Sequence, residues 1–321
     1  MCGIIYKKEV NNMIRNLKAQ ERITLPFLIV NSVKGVTNTG TPYLNITLQD
    51  SSGQIEGRKW ELIENDSNIF EVGNFVEVNA DVISYRNSLQ LKVLKGEKLD
   101  PNKLDVTLFV ASSPVPRELL QRKLFNYIEQ IKNADIKKIV DALVKENLPG
   151  LLIYPAASRN HHEYASGLLH HTVSMLDASD AIVKVYQTLN SDLLIAGVIL
   201  HDMGKLDELS GPIIPKYTVE GRLIGHISIM QAKVKETAKK LKIDEEISMV
   251  LQHMILSHHG EYEFGSPVLP LIKEAEVLGI IDNLDARINM IDKAINLINE
   301  GEFTPRIFSL EERTFYKPKI K

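Results

Sequence analysis

The chain has 321 residues, 44% hydrophobic and 25% charged, which is enough for two domains of ordinary globular composition. A net charge of -3 excludes binding of nucleic acid through a global positive field, so such binding would need a local basic patch. Cys2 is the single cysteine, which excludes an intrachain disulfide and favours a reducing compartment. No apolar run approaches the roughly 20 residues that span a bilayer, and nothing resembles a signal peptide, so we expect a cytoplasmic protein without membrane contact.

The first hundred residues contain five short segments in which apolar and polar residues nearly alternate, a pattern that predicts β-strands. Turn-forming residues separate these segments, and the longer gap at 61–71 has room for one helix. Five strands at this spacing are typical of a small closed barrel such as the OB-fold. We therefore predict a barrel domain over residues 1–100, with strands at 22–33, 43–49, 54–60, 75–85 and 88–94.

The remainder of the chain follows a helical pattern. A cluster of serine and proline at 112–116 interrupts the sequence, and apolar residues then recur at helical spacing to about residue 300. We expect a helical connector at 101–149, an all-α domain at 150–305 and an extended tail at 306–321. The predicted fold class is a two-domain protein, with an N-terminal small β-barrel (OB-fold) followed by an all-α domain.

All nine histidines lie after residue 160, within the helical region. The helix at 193–200 is apolar on every face, which indicates burial, and it ends at His201 and Asp202. An imidazole and a carboxylate at a buried helix end cost several kcal/mol unless both are satisfied. A divalent cation satisfies both, whereas the alternative is that His201 caps its own helix and Asp202 is solvated.

Two further residues favour the cation. His171 lies at the border of the apolar side of a helix that begins near 167, and Asp282 lies within another apolar helix. Three helices would thus bring imidazole and carboxylate groups to one interior point. This ligand set suits Mn, Fe, Zn, Co or, less well, Mg, and it leaves open positions for water and substrate. The pattern predicts a divalent-metal centre formed by His171, His201, Asp202 and Asp282.

The pentapeptide His-Asp-Met-Gly-Lys at 201–205, with His171 and Asp282 on either side, resembles the HD superfamily of metal-dependent phosphohydrolases. The resemblance implies that Asp202 bridges a second ion, so that one or two ions are expected, with Mn favoured. The residues expected to hold this second ion are His226, His258 and His259.

Catalysis would use water activated by the metal, with Asp202 orienting it and Lys205 pairing with a phosphate oxygen. Arg222 could also reach phosphate. His161 and His162 are interpreted as part of a loop over the site that contacts substrate. For these three residues, and for Lys205, a solvated surface position is the alternative.

OB-type barrels bind single strands by stacking bases on exposed aromatic side chains along a basic groove. The candidates here are the aromatic residues Phe27, Tyr43, Trp60 and Tyr85, interleaved with the basic residues Lys34, Arg58, Lys59, Arg86 and Lys92; Tyr43, Trp60, Arg58 and Lys34 are the preferred contacts. Most aromatic residues in small barrels belong to the core, and residues 1–100 contain 12 basic and 12 acidic residues. The residue pattern alone therefore leaves the ligand of the barrel open.

Nearly the whole chain resembles the YhaM family of bacterial 3′–5′ exoribonucleases. The matching stretches include 48–55, 201–205, 208–212, 217–222 and 282–285. The resemblance implies removal of nucleotides from the 3′ end of single-stranded RNA, with single-stranded DNA as a further substrate. A homo-oligomer is compatible with this interpretation.

Two other functions stay open. A nucleotide or cyclic-dinucleotide phosphohydrolase would share the metal centre, although the Gly-Tyr-Pro signature typical of the cyclic-dinucleotide subfamily is missing after His259. A non-catalytic nucleic-acid-binding module would keep the barrel but lose metal ligands, and no ligand is visibly lost.

Overall fold

The computed structural model describes residues 13–37, 39–85, 88–105, 108–110, 113–156 and 164–320. The chain divides into two compact units, Met1–Ser112 and Ser113–Lys321. None of the described helices combines the length and the apolar character that crossing a bilayer requires.

The first unit is a closed five-stranded barrel. Its strands are β1 (Arg22–Val36), β2 (Pro42–Asp50), β3 (Gly53–Lys59), β4 (Phe75–Tyr85) and β5 (Ser88–Lys98). They follow the order β1-β2-β3-β5-β4, and β1 closes the barrel by pairing with both β2 and β4. The β3–β5 pair is parallel and the other pairs are antiparallel. This arrangement confirms the predicted OB-fold.

The barrel core follows from the alternation of side chains along each strand. On β2, Leu44, Ile46 and Leu48 point inward and are almost completely buried. The predicted helix in the gap after β3 is a single turn, α1 (Asp66–Ile69). Residues before β1 also join this unit, because the backbone N–H of Ile14 donates to Asp50 Oδ2 at 2.9 Å.

The second unit is helical. Its helices are α2 (Arg117–Gln130), α3 (Ala134–Leu151), α4 (Gly167–Val185), α5 (Ser191–Leu200), α6 (Lys205–Glu208), α7 (Val219–Leu223), α8 (Gly225–Leu241), α9 (Glu245–Ser257) and α10 (Lys273–Ile295). One hydrophobic core joins residues of α2, α3, α4, α5, α8, α9 and α10. Helices α2 and α3, expected as a connector, thus share the core of the other helices.

Helix α5 lies within this core. All residues from Leu194 to Leu200 are buried, as the apolar run predicts. The side chain of Asn190 caps the helix by accepting from the backbone N–H of Leu193 at 3.2 Å. The helix therefore delivers its C-terminal end, and the residues that follow, into the interior.

The last residues return to the end of α10. Isolated β-bridges join Phe303 to Tyr316 and Ile307 to Arg313. The amine of Lys317 donates to the backbone O atoms of Ile295 at 3.1 Å and of Ile298 at 2.9 Å. The segment expected to be an extended tail is thus attached to α10.

Candidate metal centre

Five helices bring histidine and aspartate side chains to one interior point. His171 lies on α4, His201 and Asp202 follow α5, His226 lies at the start of α8, His258 and His259 follow α9, and Asp282 lies on α10. Ligand atoms lie within 4.8 Å of one another in three groups: His226, His258 and His259; His171, His201 and Asp202; and His201, His258 and Asp282. All seven expected ligands are therefore brought together.

The turn at 201–204 needs a residue without a side chain at position 204. A Cβ atom at Gly204 would collide with the backbone O of His226. Because glycine has no side chain, the start of α8 can pass directly beside this turn. The glycine of the pentapeptide thus allows His226 to lie next to Asp202.

Each of four histidines is oriented through its Nδ1 atom. His201 Nδ1 lies 2.9 Å from Val198 O, and His258 Nδ1 lies 2.7 Å from Ile255 O. A carbonyl oxygen only accepts, so Nδ1 carries the proton in both rings and Nε2 presents its lone pair. His171 and His226 use carboxylates in the same way, as described next.

Two carboxylates with no role predicted from the sequence orient the other rings. Asp285 Oδ2 lies 2.7 Å from His171 Nδ1, and Glu208 Oε1 lies 3.1 Å from His226 Nδ1. Such carboxylate–histidine pairs are typical of metal sites. Asp285 follows Asp282 by three residues on one helix, a spacing that could have indicated its role. Glu208 gave no comparable signal.

Several atoms that face the centre of the cluster are buried without a hydrogen-bond partner in the described part of the chain. They are the Nε2 atoms of His201, His226 and His258 and Oδ1 of Asp202. A buried polar atom left unpaired costs about 1–3 kcal/mol, and more when it is charged. Imidazole nitrogens and a carboxylate oxygen that converge in this way fit a divalent cation.

Asp202 lies between two sets of histidines. Its Oδ2 atom is 3.4 Å from His201 Nε2 and 3.7 Å from His171 Nε2. Its Oδ1 atom is 3.5 Å from His226 Nε2 and 3.9 Å from His258 Nε2. Because each oxygen faces a different set, the carboxylate can bridge two cations.

Asp202 and Lys205 form a buried ion pair, with Nζ 2.6 Å from Oδ2. Burial acts to raise the pKa of Asp202, but the positive charge of Lys205 and the adjacent His201 ring outweigh it and hold this pKa well below its usual range. Burial also acts to lower the pKa of Lys205, and the attraction of Asp202 raises it instead. Asp202 is therefore a carboxylate and Lys205 is an ammonium group.

The histidines differ in charge. Burial, together with the adjacent rings of His201 and His259, lowers the pKa of His258 well below its ordinary value, so this imidazole is neutral and suited to bind a cation. Burial also acts to lower the pKa of His171, but hydrogen bonds to Asp282 and Asp285 raise it to about 10. A cation bound to His171 Nε2 would therefore displace a proton.

The remaining predicted site residues are dispersed. Arg222 is exposed on α7, and His161 and His162 lie outside the described residues. In the barrel, the ring centroids of Tyr43 and Trp60 are 4.7 Å apart. The guanidinium of Arg58 lies 6.0 Å and 5.9 Å from these two rings, and Lys34 is exposed on β1.

Comparison with known proteins gives matches over both units. A family model described as the HD domain matches residues 168–287, a range that contains every residue of the cluster. The 3′–5′ exoribonuclease YhaM of Bacillus subtilis (strain 168) is 45% identical over 299 residues, which cover 93% of this chain and 95% of that protein. The protein of the same name from Bacillus pumilus (strain SAFR-032) is 44% identical over the same lengths.

Among solved structures, the HD domain of the L. monocytogenes phosphodiesterase PgpH matches with 16% identity and a TM-score of 0.28, over 50% of this chain and 80% of that chain. The fold follows from the strand pairing and the helical core of the chain itself.

Proposed function

Because this chain belongs to the family of the 3′–5′ exoribonuclease YhaM, we propose that it hydrolyses single-stranded RNA from the 3′ end at the histidine–aspartate cluster. One observation carries the proposal. Buried atoms of His201, His226, His258 and Asp202 converge without hydrogen-bond partners among the described residues, at the position expected for a catalytic metal centre.

The proposed cofactor is a divalent metal, with Mn favoured over Fe, Co, Zn and Mg. The two faces of Asp202 support two ions, one beside His171 and His201 and the other beside His226, His258 and His259. When bound, the ions supply the positive charge that activates water for attack on phosphorus and offsets charge on the phosphate oxygens.

The residues around the ions have their own tasks. Asp285 and Glu208 hold the rings of His171 and His226 so that both Nε2 atoms face inward. The amine of Lys205 holds Asp202 in place, and we propose that it also attracts a phosphate oxygen. Arg222, His161 and His162 stay predictions as contacts of the substrate.

The barrel is proposed to bind the single strand. Tyr43 and Trp60 lie together on its surface with Arg58 beside both rings, which combines a stacking surface with a positive charge. Lys34 adds a second exposed cation on β1. RNA is the proposed ligand, and single-stranded DNA is the further one.

One experiment separates this function from the other hydrolytic candidates. The protein is incubated with Mn and, in parallel, with 5′-labelled single-stranded RNA, cyclic dinucleotides and deoxynucleoside triphosphates. We expect a ladder of RNA shortened from the 3′ end. Turnover of the small substrates alone would contradict the proposal, and Asp202→Ala shows which activity belongs to the cluster.

We also propose a homo-oligomer in the cytoplasm. Leu284 and Ile288 on α10 are each about half exposed, and this apolar surface supports association with a second copy. The single cysteine of the sequence supports the location. Light scattering coupled to size-exclusion chromatography, on the wild type and on Leu284→Gln/Ile288→Gln, tests the oligomer.

A further inference from the structure

A pocket of about 370 Å³ borders the metal centre. One wall is formed by residues 259–261 after α9. The other is formed by the face of α10 that carries Glu276, Ile280 and Asn283, residues spaced so that they lie on one side of the helix. His259 lines the pocket and also belongs to the histidine group with His226 and His258.

Gly279 brings the two walls together. A Cβ atom at this position would lie 2.8 Å from the backbone O of His258 and 3.8 Å from the backbone N of Gly260. The absence of a side chain therefore lets the segment after α9 pass directly against α10. The pocket and the metal cluster share this segment as their common border.

The polar groups of the pocket suit a donor of hydrogen bonds. The carboxylates of Glu261 and Glu276 only accept, whereas the amide of Asn283 accepts and donates. In the part of the chain that the structure describes, none of these three side chains has a hydrogen bond or an ion pair. Two carboxylates in the lining repel the negative charge of phosphate, so the pocket suits a neutral part of the substrate that carries hydroxyl groups.

On the premise of the proposed exoribonuclease function, we infer that this pocket binds the ribose of the 3′-terminal nucleotide. Its 2′- and 3′-hydroxyl groups donate to Glu261 and Glu276, and Asn283 adds a further polar contact. The terminal ribose is joined through its 5′-oxygen to the last phosphodiester. A phosphate at the metal cluster therefore places this sugar next to the shared border at His259.

The apolar part of the pocket fits the same ligand. Ile280 is 57% exposed and Pro270 also lines the pocket, so both offer apolar surface to the carbon atoms of the sugar or to the face of the base. The contrast between the positive charge expected at the metal centre and the negative charge of the pocket supports this assignment most directly. Cations and imidazoles bind the phosphate, and carboxylates bind the neutral sugar.

With this assignment, the pocket should select against two kinds of RNA end. A 2′-deoxy terminus lacks one of the two donors and leaves a carboxylate without its partner. A 3′-phosphate terminus brings negative charge against Glu261 and Glu276. The pocket therefore favours an RNA end with both hydroxyl groups free, which is the end that remains after each hydrolytic removal of a nucleoside 5′-monophosphate.

The test uses three 5′-labelled RNAs that differ only at the last residue, which is ribo with a free 3′-hydroxyl, 2′-deoxy, or ribo with a 3′-phosphate. kcat/KM is measured with Mn for the full-length wild type, Glu261→Gln, Glu276→Gln, the double variant and Asn283→Ala. Glu300→Gln, at an exposed glutamate outside the pocket, is the matched control. Bound Mn is measured in every protein.

For the wild type we expect kcat/KM to fall at least about tenfold on the 2′-deoxy end, and further on the 3′-phosphate end. In the double variant the loss of kcat/KM on each of the two altered ends should be about tenfold smaller, while bound Mn is unchanged. Glu300→Gln should behave as the wild type.

If variants that still degrade RNA show the same losses of kcat/KM as the wild type, the pocket assignment is overturned and the exoribonuclease function is left standing. Loss of Mn from the double variant would also overturn it, because these carboxylates would then serve the metal. If the wild type degrades none of the RNAs, the proposed function fails and the pocket assignment with it.

Discussion

Nδ1 of His171 lies 2.7 Å from Oδ2 of Asp285, although 114 residues separate the two in the chain. By contacting Nδ1, the carboxylate of Asp285 fixes the rotation of the His171 ring about its Cβ–Cγ bond. Nε2 of the same ring lies 3.2 Å from Asp282 Oδ1 and 3.7 Å from Asp202 Oδ2. A residue that the sequence did not single out thus determines how a predicted ligand faces the cluster.

Asp285→Asn should weaken the centre without unfolding the protein. The amide keeps the size of the side chain but loses the charge that holds His171, and such changes typically cost about 10–100-fold in metal affinity or activity. Calorimetric titration with Mn and RNA degradation measure the two effects. Asp292→Asn, an exposed position on the same helix, is the control and should resemble the wild type. Equal Mn affinity in both variants would show that Asp285 does not support the centre.

Asp202→Asn should abolish activity almost completely. The substitution removes the negative charge that faces both sets of histidines, and we expect kcat to fall by at least about 100-fold, together with loss of bound metal. Circular dichroism and metal analysis accompany the assay. Asp180→Asn, on the exposed side of α4 in an ion pair with Lys184, is the matched control. A folded Asp202→Asn protein with normal Mn content and activity would remove Asp202 from the proposed centre.

Gly204→Ala should affect both stability and activity. The added methyl group meets the backbone of His226, and forcing atoms into a packed position of this kind typically costs about 1–3 kcal/mol. Thermal unfolding and RNA degradation measure the two effects. We expect activity at a temperature well below unfolding to fall as well, because α8 must shift and carries His226 with it. A variant with wild-type activity and Tm would show that this contact is not needed.

Trp60→Ala should weaken RNA binding by the barrel. Loss of one base–aromatic stack typically costs about 1–3 kcal/mol, which corresponds to roughly 5- to 150-fold in Kd. Fluorescence anisotropy with single-stranded RNA measures binding, and hydrolysis of a dinucleotide should change much less. Tyr186→Ala, at an exposed aromatic residue that follows α4 in the helical unit, serves as the control. Equal Kd values for the two variants would argue against a stacking role for Trp60.

Attachment of the last residues to α10 should depend on pH. The guanidinium of Arg287 binds both carboxylate oxygens of Glu311 at 3.0 Å, and this hydrogen bonding holds the pKa of Glu311 below its usual value. For a lowered carboxyl pKa, the stabilisation is complete above the pKa of the unfolded chain. It is lost as pH falls through the lower folded value.

Hydrogen exchange of the Arg313 amide, which donates to Leu310 O, measures this effect. Exchange should be faster in Glu311→Gln than in the wild type near neutral pH. The difference should vanish once acid protonates Glu311 in the wild type. If the difference in exchange rate persists at low pH, its cause is the substitution itself rather than the loss of the charge on Glu311.

Local patterns were enough to predict much of the molecule. Alternation of apolar and polar residues predicted the five strands, and the apolar run before His201 predicted a buried helix, because both depend on neighbours within one element. The candidate ligands could be chosen for the same reason, since imidazole and carboxylate groups at buried helix positions need a partner. The structure confirmed the barrel and the helical fold that these patterns predicted.

Other features depend on residues far apart in the chain, and only the tertiary structure decided them. The pairing of Glu208 with His226, the two faces of Asp202 and the contact of Gly279 with His258 each require helices to meet at a given rotation and distance. Periodicity indicates which face of a helix is buried, but not which side chain of another helix that face will meet. The sequence by itself therefore determined the elements and the kind of side chains at the cluster, whereas packing decided how those side chains are oriented and what lies beside them.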